Sequence, residues 1–184
     1  MNKIILSVLG QDQPGIVATV ARILFEKNCN IENVSQTILQ TEFAGIFIVS
    51  MPEDLALENL HASLNSELGP MNLHAHIDRL AEQAAVFASR ESEPFVITTK
   101  GPDRKGLVAG ISEVIASYGV NITNLQAVFK GGDDPGDNIM IYEVDVPTDI
   151  DQQDLHNDLR QKAESLNLVI SIQHRNIFEA INRI

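Results

Sequence analysis

One stretch of the chain occurs twice. Residues 10–34 read GQDQPGIVATVARILFEKNCNIENV, and residues 101–125 read GPDRKGLVAGISEVIASYGVNITNL. Eight of the 25 paired positions are identical: Gly10/Gly101, Asp12/Asp103, Gly15/Gly106, Val17/Val108, Ala18/Ala109, Asn30/Asn121, Ile31/Ile122 and Asn33/Asn124. A chain of 184 residues that repeats itself this way is built from two units of one architecture. Units of roughly 80 residues hold only a marginal core, which favours their leaning on each other.

The element order follows from apolar periodicity. Residues 3–9, KIILSVL, read as a strand. Ile16, Val17, Val20, Ile23 and Leu24 then recur at helical steps, as do Leu107, Val108, Ile111, Val114 and Ile115. Asn28 and Gly119 suit left-handed positions after these helices. NIENVSQTIL and FAGIFIVSM read as two strands joined by a turn near Gln40–Glu42. Pro52 ends the second of them, and Leu55, Leu60, Leu64 and Leu68 mark another helix. NLHAHI, 72–77, closes the unit. The order β-α-β-β-α-β is the ferredoxin-like, split βαβ arrangement, an α+β fold. In the second unit Pro52, Leu60, Leu64 and Asn72-Leu73 find counterparts at Pro147, Leu155, Leu159 and Asn167-Leu168, so the offset has grown from 91 to 95. Four extra residues are expected in GGDDPGDN, 131–138. The predicted division is 1–80 for the first unit, 81–93 for a linker whose start suits a short helix, and 94–184 for the second. The tail has Ile177, Phe178, Ile181 and Ile184 at helical spacing, suited to packing on the body or on a second chain.

Composition and motifs exclude several functions. The net charge is −12, from 13 basic and 25 acidic residues without a basic run. Nucleic-acid binding relies on Lys and Arg to neutralise phosphates, so direct DNA binding is not expected. The start MNKIILSVLGQDQ is too short in apolar residues for a signal peptide, and no run reaches the length of a membrane span, so a cytoplasmic location is expected. The lone Cys29 reads as apolar filler before a strand. His74, His76 and Asp78 share one face of a strand, but zinc wants three or four ligands, and a solvated pair is the expectation. The three Asp residues of the 131–138 loop lack the spacing of a calcium loop and read as a solvated turn. Nucleophile elbow, zincin, P-loop and Rossmann fingerprints are all missing. No catalytic residue, metal or cofactor is therefore expected, and the chain reads as a non-enzyme.

The strand–turn–helix joint remains. In GQDQPGIV a turn feeds a helix whose first N–H groups lack partners and attract a carboxylate. Gly15 and Gly106 leave room for a ligand beside the backbone. Asp12 and Asp103 suit either of two roles, capping the following helix or accepting a hydrogen bond from an ammonium group. Asn30 and Asn121 read either as turn residues or as amides facing a zwitterion.

These residues carry a family resemblance. D-x-P-G-(I/L)-V after a first strand, with (C/V)-N-I opening the next, resembles the ACT domain. Unit 1 matches through Asp12, Pro14, Gly15 and Asn30-Ile31, whereas unit 2 has Lys105 where proline is usual. The resemblance implies a sensor of small amino acids. It also implies a ligand between paired domains, touching the turn of one and the strand-two Asn of the other. Carried over, the site residues are Asp12, Gly15, Ile16, Asn30 and Ile31, with counterparts Asp103, Gly106, Leu107, Asn121 and Ile122. A tandem chain with no enzyme attached resembles bacterial transcriptional regulators that answer to glycine. The resemblance implies a homodimer and control of transcription in response to glycine; the net charge of −12 argues that such control runs through a regulatory protein partner and not through nucleic acid, and no membrane contact is expected. A detached regulatory subunit of an amino-acid metabolic enzyme is the alternative.

Overall fold

The computed structural model describes residues 2–80, 90–129 and 138–182. The chain divides into two units, Met1–Gln83 and Ala84–Ile184. Unit 1 runs β1 (Asn2–Gln11), α1 (Ile16–Glu26), β2 (Asn30–Leu39), β3 (Glu42–Met51), α2 (Leu57–Leu68) and β4 (Leu73–Arg79). Unit 2 repeats this order as β5 (Ser92–Gly101), α3 (Leu107–Ser117), β6 (Asn121–Phe129), β7 (Asn138–Pro147), α4 (Gln152–Ser165) and β8 (Val169–His174). A terminal helix, α5 (Arg175–Asn182), follows. The sheets have the orders β2-β3-β1-β4 and β6-β7-β5-β8, and every pairing is antiparallel. The expected βαββαβ order is thus present in both units.

Each sheet buries one face under its two helices. In unit 1 that face carries Ile4, Leu6, Val8, Phe43, Phe47, Val49 and Leu73, packed against Val20, Ile23 and Leu24 of α1 and Leu60, Leu64 and Leu68 of α2. Leu55, expected within the helix, precedes it and still packs on the core. His74, His76 and Asp78 share the opposite, exposed face, and His76 Nε2 lies 2.9 Å from Asp78 Oδ2. In unit 2 that opposite face is partly covered. The tail helix α5 lies against β5 and β8, Arg175 pairs with Glu143 of β7 at 3.2 Å, and Val96 is buried there. The tail therefore packs on its own unit. The corresponding face of unit 1 leaves Leu9 and Ile46 exposed.

Backbone punctuation is duplicated with the sequence. Asn28 (φ 54°) and Gly119 (φ 66°) are left-handed, as expected, and follow α1 and α3. The N–H groups of Asn28 and Cys29 donate to the carbonyls of Phe25 and Leu24, a Schellman closure. Asn72 and Asn167 are left-handed as well, with φ of 56° and 53°. Each sends its carbonyl against a glycine of the unit's first strand. A Cβ on Gly10 would collide with the Asn72 carbonyl, and one on Gly101 would stand 2.7 Å from that of Asn167. The conserved spacing of these glycines within the chain thus has a packing cause. β6 ends at Phe129 and β7 begins at Asn138. Pairs Ile38↔Phe43 and Phe129↔Asn138 are equivalent, so the four extra residues lie in the connection between them. That connection, 130–137, with the expected Asp-rich turn, lies outside the described residues, as do 81–89 of the expected linker.

Two outcomes follow from these contacts. Gly10→Ala forces a methyl into the Asn72 carbonyl and should cost about 1–3 kcal/mol. Gly69 has a right-handed φ of −56° but precedes Pro70, whose ring disfavours a Cβ in that conformation, so Gly69→Ala should cost less than Gly10→Ala, up to about 1 kcal/mol. Urea denaturation of both variants checks the contrast. The chain's two tyrosines are both held protonated, with pKa values pushed up to about 12. Tyr118 donates to Asp158 at 2.6 Å, and burial acts on Tyr142. Because the folded pKa is raised, the stability involved is complete below the free phenol's value near 10 and is lost as pH rises towards 12. Absorbance titration at alkaline pH should show no free-phenol step in the folded chain.

Candidate functional site

The turn between β1 and α1 is fixed by its glycine. Gly15 adopts φ 98°, ψ −6°, a left-handed conformation, and acts as N-cap of α1. Its carbonyl accepts from Thr19 N–H at 2.9 Å. Gly106 does the same for α3, with φ 89° and a bond from Gly110 N–H at 2.9 Å. L side chains rarely take this conformation, so the two glycines answer a backbone demand. A Cβ at either position would meet nothing within 4 Å. The space beside the glycine is open, and the first N–H groups of both helices have no side-chain cap among the described residues.

The aspartates do not cap. Capping was one of two roles open to Asp12 and Asp103, and the structure overturns it. An N-cap side chain must sit next to the helix to reach the N–H groups of its first turn. That place belongs to Gly15 and Gly106, which leaves Asp12 and Asp103 three residues upstream, exposed. Asp12 instead ties the turn through its backbone, donating N–H to the Thr41 carbonyl at 2.7 Å. Asp151 shows what capping looks like in this chain: its Oδ1 accepts from the N–H groups of Gln153 and Asp154 at 2.8 and 3.1 Å.

Two further side chains hold the turns, and sequence reasoning passed over them. Gln13 Nε2 donates to the Met71 carbonyl at 2.7 Å, and Arg104 at the equivalent place donates to the Ser165 carbonyl at 3.2 Å. Gln13 thereby tethers its turn to the 3-10 turn Gly69–Met71 that follows α2, and Arg104 tethers its turn to the last residue of α4. The signal was available: Gln13 and Arg104 stand at the same repeat position, both long donors.

In unit 1 a pocket of about 200 Å³ opens at this joint. Asp12, Gln13, Gly15, Ile16, Gln36 and Phe43 line it. Gln36 is exposed on β2, opposite Gly45, and shares the helix-facing side with Phe43. Neither Gln36 nor Phe43 was expected at the site. A larger pocket of about 270 Å³ lies at the other end of the sheet, among Asn2, Met51, Glu53, Asp54, Glu58 and Arg79. Three carboxylates against one guanidinium make that pocket hostile to a carboxylate ligand, so the smaller pocket is the better candidate for an anion.

The structure brings Asp12, Gly15 and Ile16 together and keeps Asn30 and Ile31 apart from them. Asn30 pairs with Ser50, which pairs with Lys3 near the start of β1. The turn follows Gln11 at the far end of the same strand. At about 3.3 Å per residue, roughly 25 Å of strand separates the two groups within one unit. In unit 2, Asn121 pairs with Asp145, while Asp103, Gly106 and Leu107 follow the other end of β5. Both asparagines are exposed, Ile31 and Ile122 are half-buried, and Ile16 and Leu107 are buried. Each asparagine is followed by the same bulge, at Glu32 and at Thr123.

Residues 2–78 and 93–173 match the ACT domain family. A UPF0237 protein of Methanopyrus kandleri is 38% identical over 82 residues, which covers 42% of this chain and 91% of that protein. A UPF0237 protein of Pyrobaculum aerophilum is also 38% identical over 82 residues, with the same coverage. Among solved structures, an unknown protein from Galdieria sulphuraria superposes with a TM-score of 0.76 at 22% identity, covering 94% of this chain and 98% of that one. A candidate glycine cleavage system transcriptional repressor superposes with a TM-score of 0.65 at 16% identity, covering 94% and 96%. At these identities the superpositions concern the fold.

The capping contrast is directly measurable. Asp151→Ala should cost about 1 kcal/mol, whereas Asp12→Ala should change stability by less than about 0.5 kcal/mol, as for a surface residue without a partner to lose. Thermal denaturation of the two variants gives the comparison.

Proposed function

The chain belongs to the ACT domain family, and from that premise we propose that it is an amino-acid-sensing regulatory protein without catalytic activity. The observation that carries this reading is the doubled turn. A left-handed glycine caps a helix whose free N–H groups face open space, and this happens once in each unit. Such an end offers hydrogen bonds and a favourable dipole to a carboxylate. Asp12 and Asp103 stand beside it, released from capping, and supply an acceptor for an ammonium group.

Glycine is the proposed ligand of unit 1. The pocket there is small, and the buried ring of Phe43 gives it an apolar wall. The likeness in fold to the candidate glycine cleavage repressor supports the same choice. Because Asn30 and Asn121 lie at the far ends of their own units, the amide that completes a site comes from a second copy of the chain, and the working form is a homodimer. The net charge of −12 disfavours DNA, so control of transcription runs through a regulatory protein. The proposed location is cytoplasmic; among the described residues no helix is long and apolar enough to cross a membrane.

Calorimetry tests this reading. A ligand as small as glycine gains at most about 1.5 kcal/mol per heavy atom, so a dissociation constant no tighter than roughly micromolar is expected. Asn30→Ala and Asn121→Ala should weaken binding by about tenfold or more, through loss of a donor and an acceptor, while the free chain keeps its melting temperature. Wild-type affinity in both variants would remove the asparagines from the site.

A further inference from the structure

The two turn sites are not chemically alike. Position by position, the helix-facing side of the sheet beside the turn differs between units. Val8 and Phe43 of unit 1 are matched by Thr99 and Asn138 of unit 2, and Gly45 and Phe47 by Met140 and Tyr142. In unit 1 the Phe43 ring lies over Gly45, so close that a Cβ there would stand 2.8 Å from it. In unit 2 the bulk moves to Met140, and a small polar side chain occupies the place of the ring.

That polar replacement is buried and unanswered. Thr99 is 0% exposed and Asn138 3%. Among the described residues, the Thr99 hydroxyl and both polar atoms of the Asn138 amide have no hydrogen-bond partner. Nearby, the Tyr142 hydroxyl spends its hydrogen on the weak acceptor Met140 Sδ at 3.5 Å. A buried polar group left unpaired loses its hydrogen bonds to water with nothing in return. Three such atoms at one place point to a partner that arrives from outside the fold.

The geometry names where it arrives. Asn138 pairs with Gly101, the last residue of β5, and Thr99 faces the same side two residues earlier. The turn to α3 starts there. The unit 1 counterpart of Asn138, Phe43, lines the pocket at the α1 N-terminus. Helix α3 begins behind Gly106 with its first N–H groups open, and the turn carries Arg104 and Lys105 where unit 1 has Gln13 and Pro14.

We infer that the turn site of unit 2 binds a small amino acid with a hydroxyl or carboxamide side chain, recognised by Thr99 and Asn138. This rests on the amino-acid-sensing reading and adds a division of labour to it. The α3 N-terminus and the cationic turn hold the carboxylate. The Asn138 amide, a donor and an acceptor together, meets the ligand's side chain, and the Thr99 hydroxyl supports it. Unit 1, with Phe43 and Val8 at these places, selects a ligand without such a group. A site built to hydrogen-bond a substrate hydroxyl rejects the analogue lacking it, because the buried partners are then left unpaired.

The test uses the full chain and three probes: L-serine, L-asparagine and glycine. Calorimetric titrations compare the wild type with Thr99→Val and Asn138→Leu, near-isosteric changes that need no repacking. A double variant, Asn138→Phe with Met140→Gly, installs the unit 1 pattern. Serine or asparagine should bind the wild type and lose about tenfold or more in affinity in each variant, with glycine binding unchanged. Unaltered serine and asparagine affinities in folded variants, alongside normal glycine binding, overturn the unit 2 assignment and leave the sensor reading intact. The same holds if the variants are merely stabilised, which would mark an internal water as the partner. If none of the three probes binds the wild type, the sensor reading and this inference fail together.

Discussion

In each unit the end of the first strand runs so close to the carbonyl of a left-handed asparagine that only glycine fits. Gly10 meets Asn72 and Gly101 meets Asn167. Much of the site's geometry depends on that contact. It brings the start of β4 against the end of β1, where the register opens with Gly10↔Leu73. It releases the chain from the sheet one residue later, at Gln11. The turn that follows is short, so the helix must begin at once, and the left-handed Gly15 makes that sharp entry. The open N–H groups at the helix start are a consequence of entering through a glycine, which carries no side chain to cap them.

Duplication makes the molecule its own comparison. What both units keep is backbone: the glycine at the close approach, the glycine at the helix entry, the left-handed residues after the helices, and the bulge after Asn30 and Asn121. What they change is the filling. The pair Phe43 and Gly45 against Asn138 and Met140 shows volume conserved across two neighbouring positions while polarity is not. Interiors tolerate such exchanges when total volume holds, but an amide without a partner is a different matter. Unit 2 also adds α5, tied through Arg175 to Glu143, over a face that unit 1 leaves bare. Glu143 accepts from Asn124 Nδ2 as well, at 2.9 Å, and the repeat equivalent of Glu143 in unit 1 is Ile48.

Most of the fold was legible in the sequence because it is written in periodicity. Leu60, Leu64 and Leu68, or Leu155 and Leu159, occupy the helix faces that their spacing dictates. The growth of the offset from 91 to 95 located the longer connection between β6 and β7. The candidate site was less legible. Asp12 looks like a cap in the sequence because it precedes a helix, yet the helix starts at Ile16, and a glycine with φ near 98° takes the capping place. A positive φ leaves no periodic trace. Phe43 and Gln36 escaped notice because they come to the turn through sheet register, from strands far along the chain. Asn138 stands at the edge of an Asp-rich loop and reads there as a loop residue. Only the pairing with Gly101 places it under the site.

One measurement addresses the ligand site most directly. Glycine is titrated into the isotope-labelled chain while backbone amide resonances are followed by NMR. If the turn binds the carboxylate, the amides of residues 15–18, at the start of α1, should shift together. The Asn30 or Asn121 side-chain amide should follow the same binding curve, although roughly 25 Å of strand separates it from the turn of its own unit. Shifts confined to one end of the sheet, or centred on the acidic pocket around Glu53 and Glu58, would contradict a site shared between copies of the chain.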